Sequence, residues 1–160
     1  MTIKININGD IQNEVCISVL DHGFLFGDSV YEVISTKYGK PCFLDEHLER
    51  LFASASEISL KIPSSKTKIK DQIQSTLNSA GNPESYIRII ITRGVGEIDI
   101  DPTSCFEPNI IIIVKDSPKI PEEKYYNGIS VALASIKRNS RESLNPAVKT
   151  GNYLNNVLAR

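Results

Sequence analysis

Two isoleucine-rich runs, residues 86–92 and 109–114, constrain this chain more than anything else in it. Both are too short for a stable helix and almost continuously apolar, so each reads as a buried strand. The stretch between them, 93–108, contains Gly, Pro and Asp and reads as a loop. Upstream, residues 2–7 alternate isoleucine with polar residues. Asn8-Gly9 is then a hairpin turn signal before a second alternating run, 11–17. Residues 30–37 are β-branched and aromatic, with another turn at 38–41. Asp45 reads as an N-cap, followed by Leu48, Leu51, Phe52 and Ala55 on one helical face. Past Pro63, Ile69, Ile73 and Leu77 mark a second helix, which closes near Gly81 and Pro83. Strands, two helices and more strands make an α+β domain ending near Asp116.

The remainder is thinner. Residues 117–126 contain two prolines and no periodicity, as a linker would. Beyond them the pattern predicts one strand over 128–137, a loop through Pro146, and a short helix from about Asn152 with Leu154, Val157 and Leu158 on one face. One strand and two helical turns cannot build a core. We therefore expect residues 1–116 to form a complete small domain, 117–126 a linker, and 127–160 the beginning of a larger second domain, in a chain that is the N-terminal piece of a longer protein.

Charge and cysteine usage remove several function classes. A formal net charge of -1 offers no field for nucleic acid or an anionic membrane. Cys16, Cys42 and Cys105 are odd in number and widely spaced, which argues against a disulfide framework or a zinc site and suits the cytoplasm. The N-terminus alternates instead of forming an apolar signal core, and no long apolar run follows. Gly27-Asp-Ser29 runs on to Tyr31 without the second glycine of a nucleophile elbow, and Gly94-Val-Gly96 lacks the lysine of a phosphate loop.

Lys149 stands apart. It is the only charged residue between Ser143 and Ala159, where the chain's 23% charged fraction would place about four. A lysine buried there would have its ammonium form disfavoured, which is what an amine needs to attack a carbonyl. A surface lysine reaching solvent on its long stem is the other reading, and both stand on this segment alone. Arg50 lies off the apolar face of its helix. It is either paired with Glu46 one turn back or free to act as a bidentate clamp for an anion such as phosphate.

Four blocks in order carry a resemblance: Asp21-His-Gly-Phe-Leu-Phe-Gly-Asp-Ser-Val-Tyr-Glu-Val-Ile34, Leu44-Asp-Glu-His-Leu-Glu-Arg-Leu51, Thr92-Arg-Gly, and Lys149-Thr-Gly-Asn-Tyr-Leu-Asn-Asn-Val-Leu-Ala159. Together they resemble the class IV aminotransferases, the fold type IV enzymes that use pyridoxal 5'-phosphate. The likeness implies that Lys149 carries the cofactor as a Schiff base and shuttles the substrate proton. It implies that Arg50 grips the cofactor phosphate, as the clamp reading had it, and that Tyr153 lies near the phenolic oxygen. Tyr31, Tyr86 and Arg88 would contact substrate, and alternation puts the last two on one strand face. In this family a glutamate some thirty residues beyond the lysine (about one helix and two strands) keeps the pyridine nitrogen protonated, and the sequence stops short of it.

The resemblance further implies transamination between an amino acid and a 2-oxo acid, in a homodimer or larger homo-oligomer. The 92–102 loop and the 139–149 approach look most like the branched-chain enzymes. D-amino-acid aminotransferases share an Arg-x-His after Thr-Arg-Gly that is absent here, and aminodeoxychorismate lyase is a further alternative. So is a non-catalytic module that only folds or dimerises.

Overall fold

Pairing of the isoleucine runs organises everything else in the fold. The computed structural model describes residues 3–160; Met1 and Thr2, the latter opening the expected 2–7 strand, lie outside the described residues. The elements are β1 (Ile3–Ile7), β2 (Asp10–Gln12), α1 (His22–Leu25), β3 (Ser29–Lys37), β4 (Lys40–Pro41), α2 (Leu44–Glu57), α3 (Lys66–Ala80), β5 (Ser85–Thr92), β6 (Asn109–Asp116), α4 (Glu123–Asn127) and α5 (Leu154–Leu158). Six strands form one antiparallel sheet in the order β2-β1-β6-β5-β3-β4. The isoleucine runs are its central pair, in register from Ser85 opposite Asp116 to Thr92 opposite Asn109.

Both helices cover one face of this sheet. Val30, Ile34, Ile87, Ile89, Ile91, Ile110, Ile112 and Val114 point there and meet Leu48, Leu51 and Ala55 of α2 and Ile69, Ile73, Leu77 and Ala80 of α3. Each of the Val, Leu and Ile side chains contributes about 1.5–3 kcal/mol by leaving water, and the alanines less. Neither α2 nor α3 covers the opposite face, which α1 borders at Gly23 and Phe24. Tyr31, Val33, Tyr86, Arg88 and Ile90 point that way, because β3 pairs Tyr31 with Ile90 and Val33 with Arg88.

Four local expectations need correction. The second hairpin strand spans only Asp10–Gln12 instead of 11–17, because past Gln12 the chain leaves the sheet edge to reach α1. Asp45 is not the N-cap of α2: the helix begins earlier, Phe43 holds that position, and Asp45 lies in the first turn, where its charge favours the helix dipole and pairs with Lys70. Residues 117–126 are not wholly irregular, since most of α4 falls within them. No strand forms over 128–137. Val131 and Leu133 are exposed there, and a segment without a neighbour to pair with has nowhere to place its backbone hydrogen bonds except water. By contrast α3 begins at the Ser65 cap and ends at Gly81 as its pattern requires. Among the described residues no helix is long and apolar enough to cross a membrane.

Candidate active site

Residues 149–151 return from the far end of the chain to lie beside the first half of β3. Tyr31 N–H donates to the Lys149 carbonyl at 2.9 Å, Gly151 N–H donates to the Ser29 carbonyl at 2.8 Å, and Thr150 faces Val30 across the bridge. Strand alternation then sorts the side chains. Thr150 turns towards the helices and is buried, while the Lys149 side chain rises on the Tyr31 face. Lys149 is part-buried, with its amine 4.6 Å from the centroid of the Tyr31 ring. A second tie comes from α2, where Ser54 Oγ accepts from Lys149 N–H at 3.4 Å. Gly151 is needed for this docking: a Cβ there would collide with the Ser29 side chain and come within 3.1 Å of the Gly27 carbonyl.

Tyr31 is the hub of a cluster on the uncovered face. The Arg88 guanidinium lies over its ring at 4.4 Å, and Tyr153 meets it edge-on at 5.4 Å between centroids. Burial, followed by hydrogen bonding to Tyr153, pushes the Tyr31 hydroxyl above the ordinary phenol value; the Arg88 charge opposes this more weakly. Among the described residues Arg88 makes no ion pair, so a part-buried cation faces an open cavity of about 290 Å³ bordered by Ser29, Tyr31, Thr92 and Gly151. Tyr86 is on the same face, one alternation further from Lys149, with the Lys115 amine 5.2 Å from its ring. Thus Lys149, Tyr31, Arg88 and Tyr153 converge, and Tyr86 flanks them.

Arg50 approaches from the helix side. The Glu46 pair that helix spacing allows is not made. Arg50 Nε and Nη2 instead donate to the two oxygens of Glu32, at 2.5 and 2.8 Å, and His47 Nδ1 lies 2.8 Å from Oε2. Glu32 is 0% exposed, whereas the Arg50 side chain keeps 52% exposure. Burial alone would raise the Glu32 carboxyl, but the hydrogen bonds from Arg50 and His47 outweigh it and hold the group ionised below the usual carboxylate range. A guanidinium bonded through Nε and one Nη2 hydrogen still has Nη1 and the second Nη2 hydrogen for an oxyanion. Arg50 and Ser54 are one turn apart on α2, so this free fork and the Lys149 backbone belong to the same helix face.

The Thr92-Arg-Gly block is scaffold. Thr92 Oγ1 donates to the buried Asp21 carboxylate at 2.7 Å, which also accepts from Gly23 N and Asn109 Nδ2. Arg93 binds both Asp28 oxygens, at 2.8 and 3.0 Å, and donates to the Ile58 and Ser59 carbonyls where α2 ends. Gly94 has φ +93°, and a Cβ there would run into the Glu107 carbonyl. These bonds fix the entry to β3, and hence Tyr31. A larger cavity of about 690 Å³ lies between residues 59–63 and 102–108, but none of the clustered side chains borders it.

Sequence reasoning missed Glu32, His47 and Ser54. A signal existed for the first: Glu32 alternates with Val30 and Ile34 on the stripe that faces the helices, and a charge on a core stripe requires a partner.

A family model, Amino-transferase class IV, matches residues 29–160, and the chain belongs to that family. It is 39% identical over 160 residues to a Methanocaldococcus jannaschii protein named "Putative branched-chain-amino-acid aminotransferase", covering 99% of this chain and 54% of that one. A D-alanine aminotransferase of Staphylococcus haemolyticus is 34% identical over 98% of this chain and 55% of its own length. Among solved structures, a T.th. branched-chain amino acid aminotransferase with pyridoxamine 5'-phosphate superposes with a TM-score of 0.87 at 27% identity, over 98% of this chain and 53% of that one. The chain spans about half the length of the curated relatives it matches. Its mixed helix and antiparallel-sheet architecture is that of the first half of the fold type IV enzymes.

Proposed function

We propose that the full-length protein transfers an amino group from an amino acid of branched-chain type to a 2-oxo acid, with pyridoxal 5'-phosphate held at Lys149. The observation that carries this is the Tyr31 ring with the Lys149 amine and the Arg88 guanidinium both against it, while Arg50 keeps a free fork on the adjoining helix. The donor set fits the cofactor: an amine for its aldehyde and a guanidinium fork for its phosphate. When bound, pyridoxal phosphate supplies an electron sink for the charge left at Cα.

The chain's own residues supply the rest. Lys149 takes the Cα proton and returns it, and its position over an aromatic ring keeps it oriented. Arg88, stacked on Tyr31 but without a carboxylate partner among the described residues, receives the substrate carboxylate. Arg50 would hold the phosphate, and Tyr153, beside Tyr31, would border the cofactor. Tyr31, whose hydroxyl burial makes still harder to ionise, and Tyr86 wall the substrate side.

Supporting the domain boundaries, the core closes with β6 at Asp116, and from residue 119 to 137 every side chain is exposed. We read 1–116 as the small domain, 117–126 as its linker and 127–160 as the beginning of the cofactor-binding domain. The uncovered sheet face supports a homodimer, and three unpaired cysteines support the cytoplasm. The Staphylococcus haemolyticus relative favours a second reading, transamination of D-alanine.

The test is a donor panel on the full-length protein, with L-leucine, D-alanine and aminodeoxychorismate, combined with borohydride reduction and mass spectrometry. We expect L-leucine to be the best donor and a pyridoxyl label on Lys149. A D-alanine preference selects the second reading, and pyruvate release from aminodeoxychorismate selects a lyase. A wild-type protein that takes up no cofactor rejects the proposal and leaves a folding or dimerising module.

A further inference from the structure

The proposed function, on which this inference rests, gives no role to Glu32, although it is the most costly group in the site to bury. Its carboxylate has 0% exposure on the helix-facing side of β3, between Val30 and Ile34. Stability does not explain it, because an apolar residue of similar size at a buried ion pair is often neutral or better. What Glu32 does is geometric. It takes the side fork of Arg50, Nε with Nη2, while His47 holds one of its oxygens. With Nδ1–H donating to Glu32, His47 cannot also accept from Arg50, so the 3.1 Å approach of Nη2 to that nitrogen uses up no guanidinium hydrogen.

We infer that Glu32 is a positioning residue: it locks Arg50 so that Nη1 and the remaining Nη2 hydrogen face the cofactor phosphate in one direction. Arg50 is half-exposed at the end of a flexible stem and would otherwise sample many rotamers, each to be lost on binding. The rival effect has the opposite sign. A carboxylate behind the guanidinium repels a phosphate, so removing its charge alone would tighten binding.

The experiment measures binding by equilibrium dialysis on the full-length protein, with pyridoxal 5'-phosphate and with pyridoxal, which lacks the phosphate. Positioning predicts that E32Q weakens pyridoxal phosphate about 10-fold, roughly one charge-assisted hydrogen bond, and moves pyridoxal less than about twofold. R50A should lose the same phosphate selectivity, and E32Q added to R50A should cost little more. Equal losses for both ligands make Glu32 merely structural, and tighter pyridoxal phosphate binding makes it a repulsive charge; either overturns the proposal. If E32Q does not fold, E32D keeps the charge but withdraws it by one methylene. It should lower the selectivity, and an unchanged ratio overturns the inference. Failure here leaves wild-type cofactor uptake intact, whereas failure of the proposed function abolishes it.

Discussion

Replacing Arg93 by alanine should damage the fold more than the chemistry, and the size of the effect follows from its bonds. The guanidinium donates twice to Asp28 and once each to the Ile58 and Ser59 carbonyls, all at 2.8–3.0 Å, with 11% side-chain exposure for Arg93 and 21% for Asp28. Breaking a buried pair costs about 3–5 kcal/mol because the surviving charge is stranded. Asp28 regains some water, so we take the lower end, about 3 kcal/mol. For a chain of this length that lowers Tm by about 6–12 °C. Thermal unfolding followed by circular dichroism measures it, and an Arg93→Ala, Asp28→Asn cycle isolates the pair, with a coupling of about 1–3 kcal/mol expected. If R93A melts within about 2 °C of wild type and yet no longer binds pyridoxal phosphate, Arg93 is a ligand group and the scaffold assignment is wrong.

Three further outcomes rest on the same geometry. The folded-state carboxyl of Glu32 is held below its unfolded value, so its contribution is present above the ordinary glutamate range near pH 4.5 and is lost as pH falls through the depressed value; E32Q should flatten the acid limb of a stability-versus-pH curve, and an unchanged limb contradicts the ion pair. The raised Tyr31 hydroxyl predicts that, in ultraviolet titration of the six tyrosines, one ionises above the ordinary range near pH 10, and that this late step vanishes in Tyr31→Phe. Gly151→Ala should reduce pyridoxyl labelling of Lys149 at least about fivefold by pushing the 149–151 segment off β3, with partial recovery when Ser29→Ala makes room; full labelling in the single variant contradicts that docking.

What the sequence announced and what it hid differ in physical kind. The β5 and β6 strands, the helices α2 and α3 and the Gly81 end of α3 were legible because each rests on a local pattern of burial or backbone conformation. The expected strand over 128–137 was also read from local pattern, but a strand exists only by pairing, and nothing in 128–137 says whether a neighbour is there. The partner of Arg50 was hidden for the same reason. Glu46 is close in sequence, whereas Glu32 becomes close only after β3 and α2 pack. Lys149 was legible as an isolated charge, but its seat over Tyr31 depends on a backbone pairing across more than a hundred residues.

That pairing explains why so much of the chain is spent on fixing one strand. Tyr31 and Glu32 are neighbours, so their side chains leave β3 on opposite faces, one towards the Lys149 amine and the other towards the Arg50 guanidinium. The amine and the fork are thereby each set against one of two adjacent residues of a strand whose register is fixed by seven pairs with β5. A slip of one residue would exchange the faces, putting the carboxylate beside the amine and the phenol into the core. The Asp21–Thr92 and Asp28–Arg93 bonds pin the start of β3 against such a slip, and the Ser29–Gly151 pairing ties the lysine to the same frame. Three of the four recognisable blocks meet at those bonds. Their order along the chain therefore records the register of one strand as much as the chemistry above it.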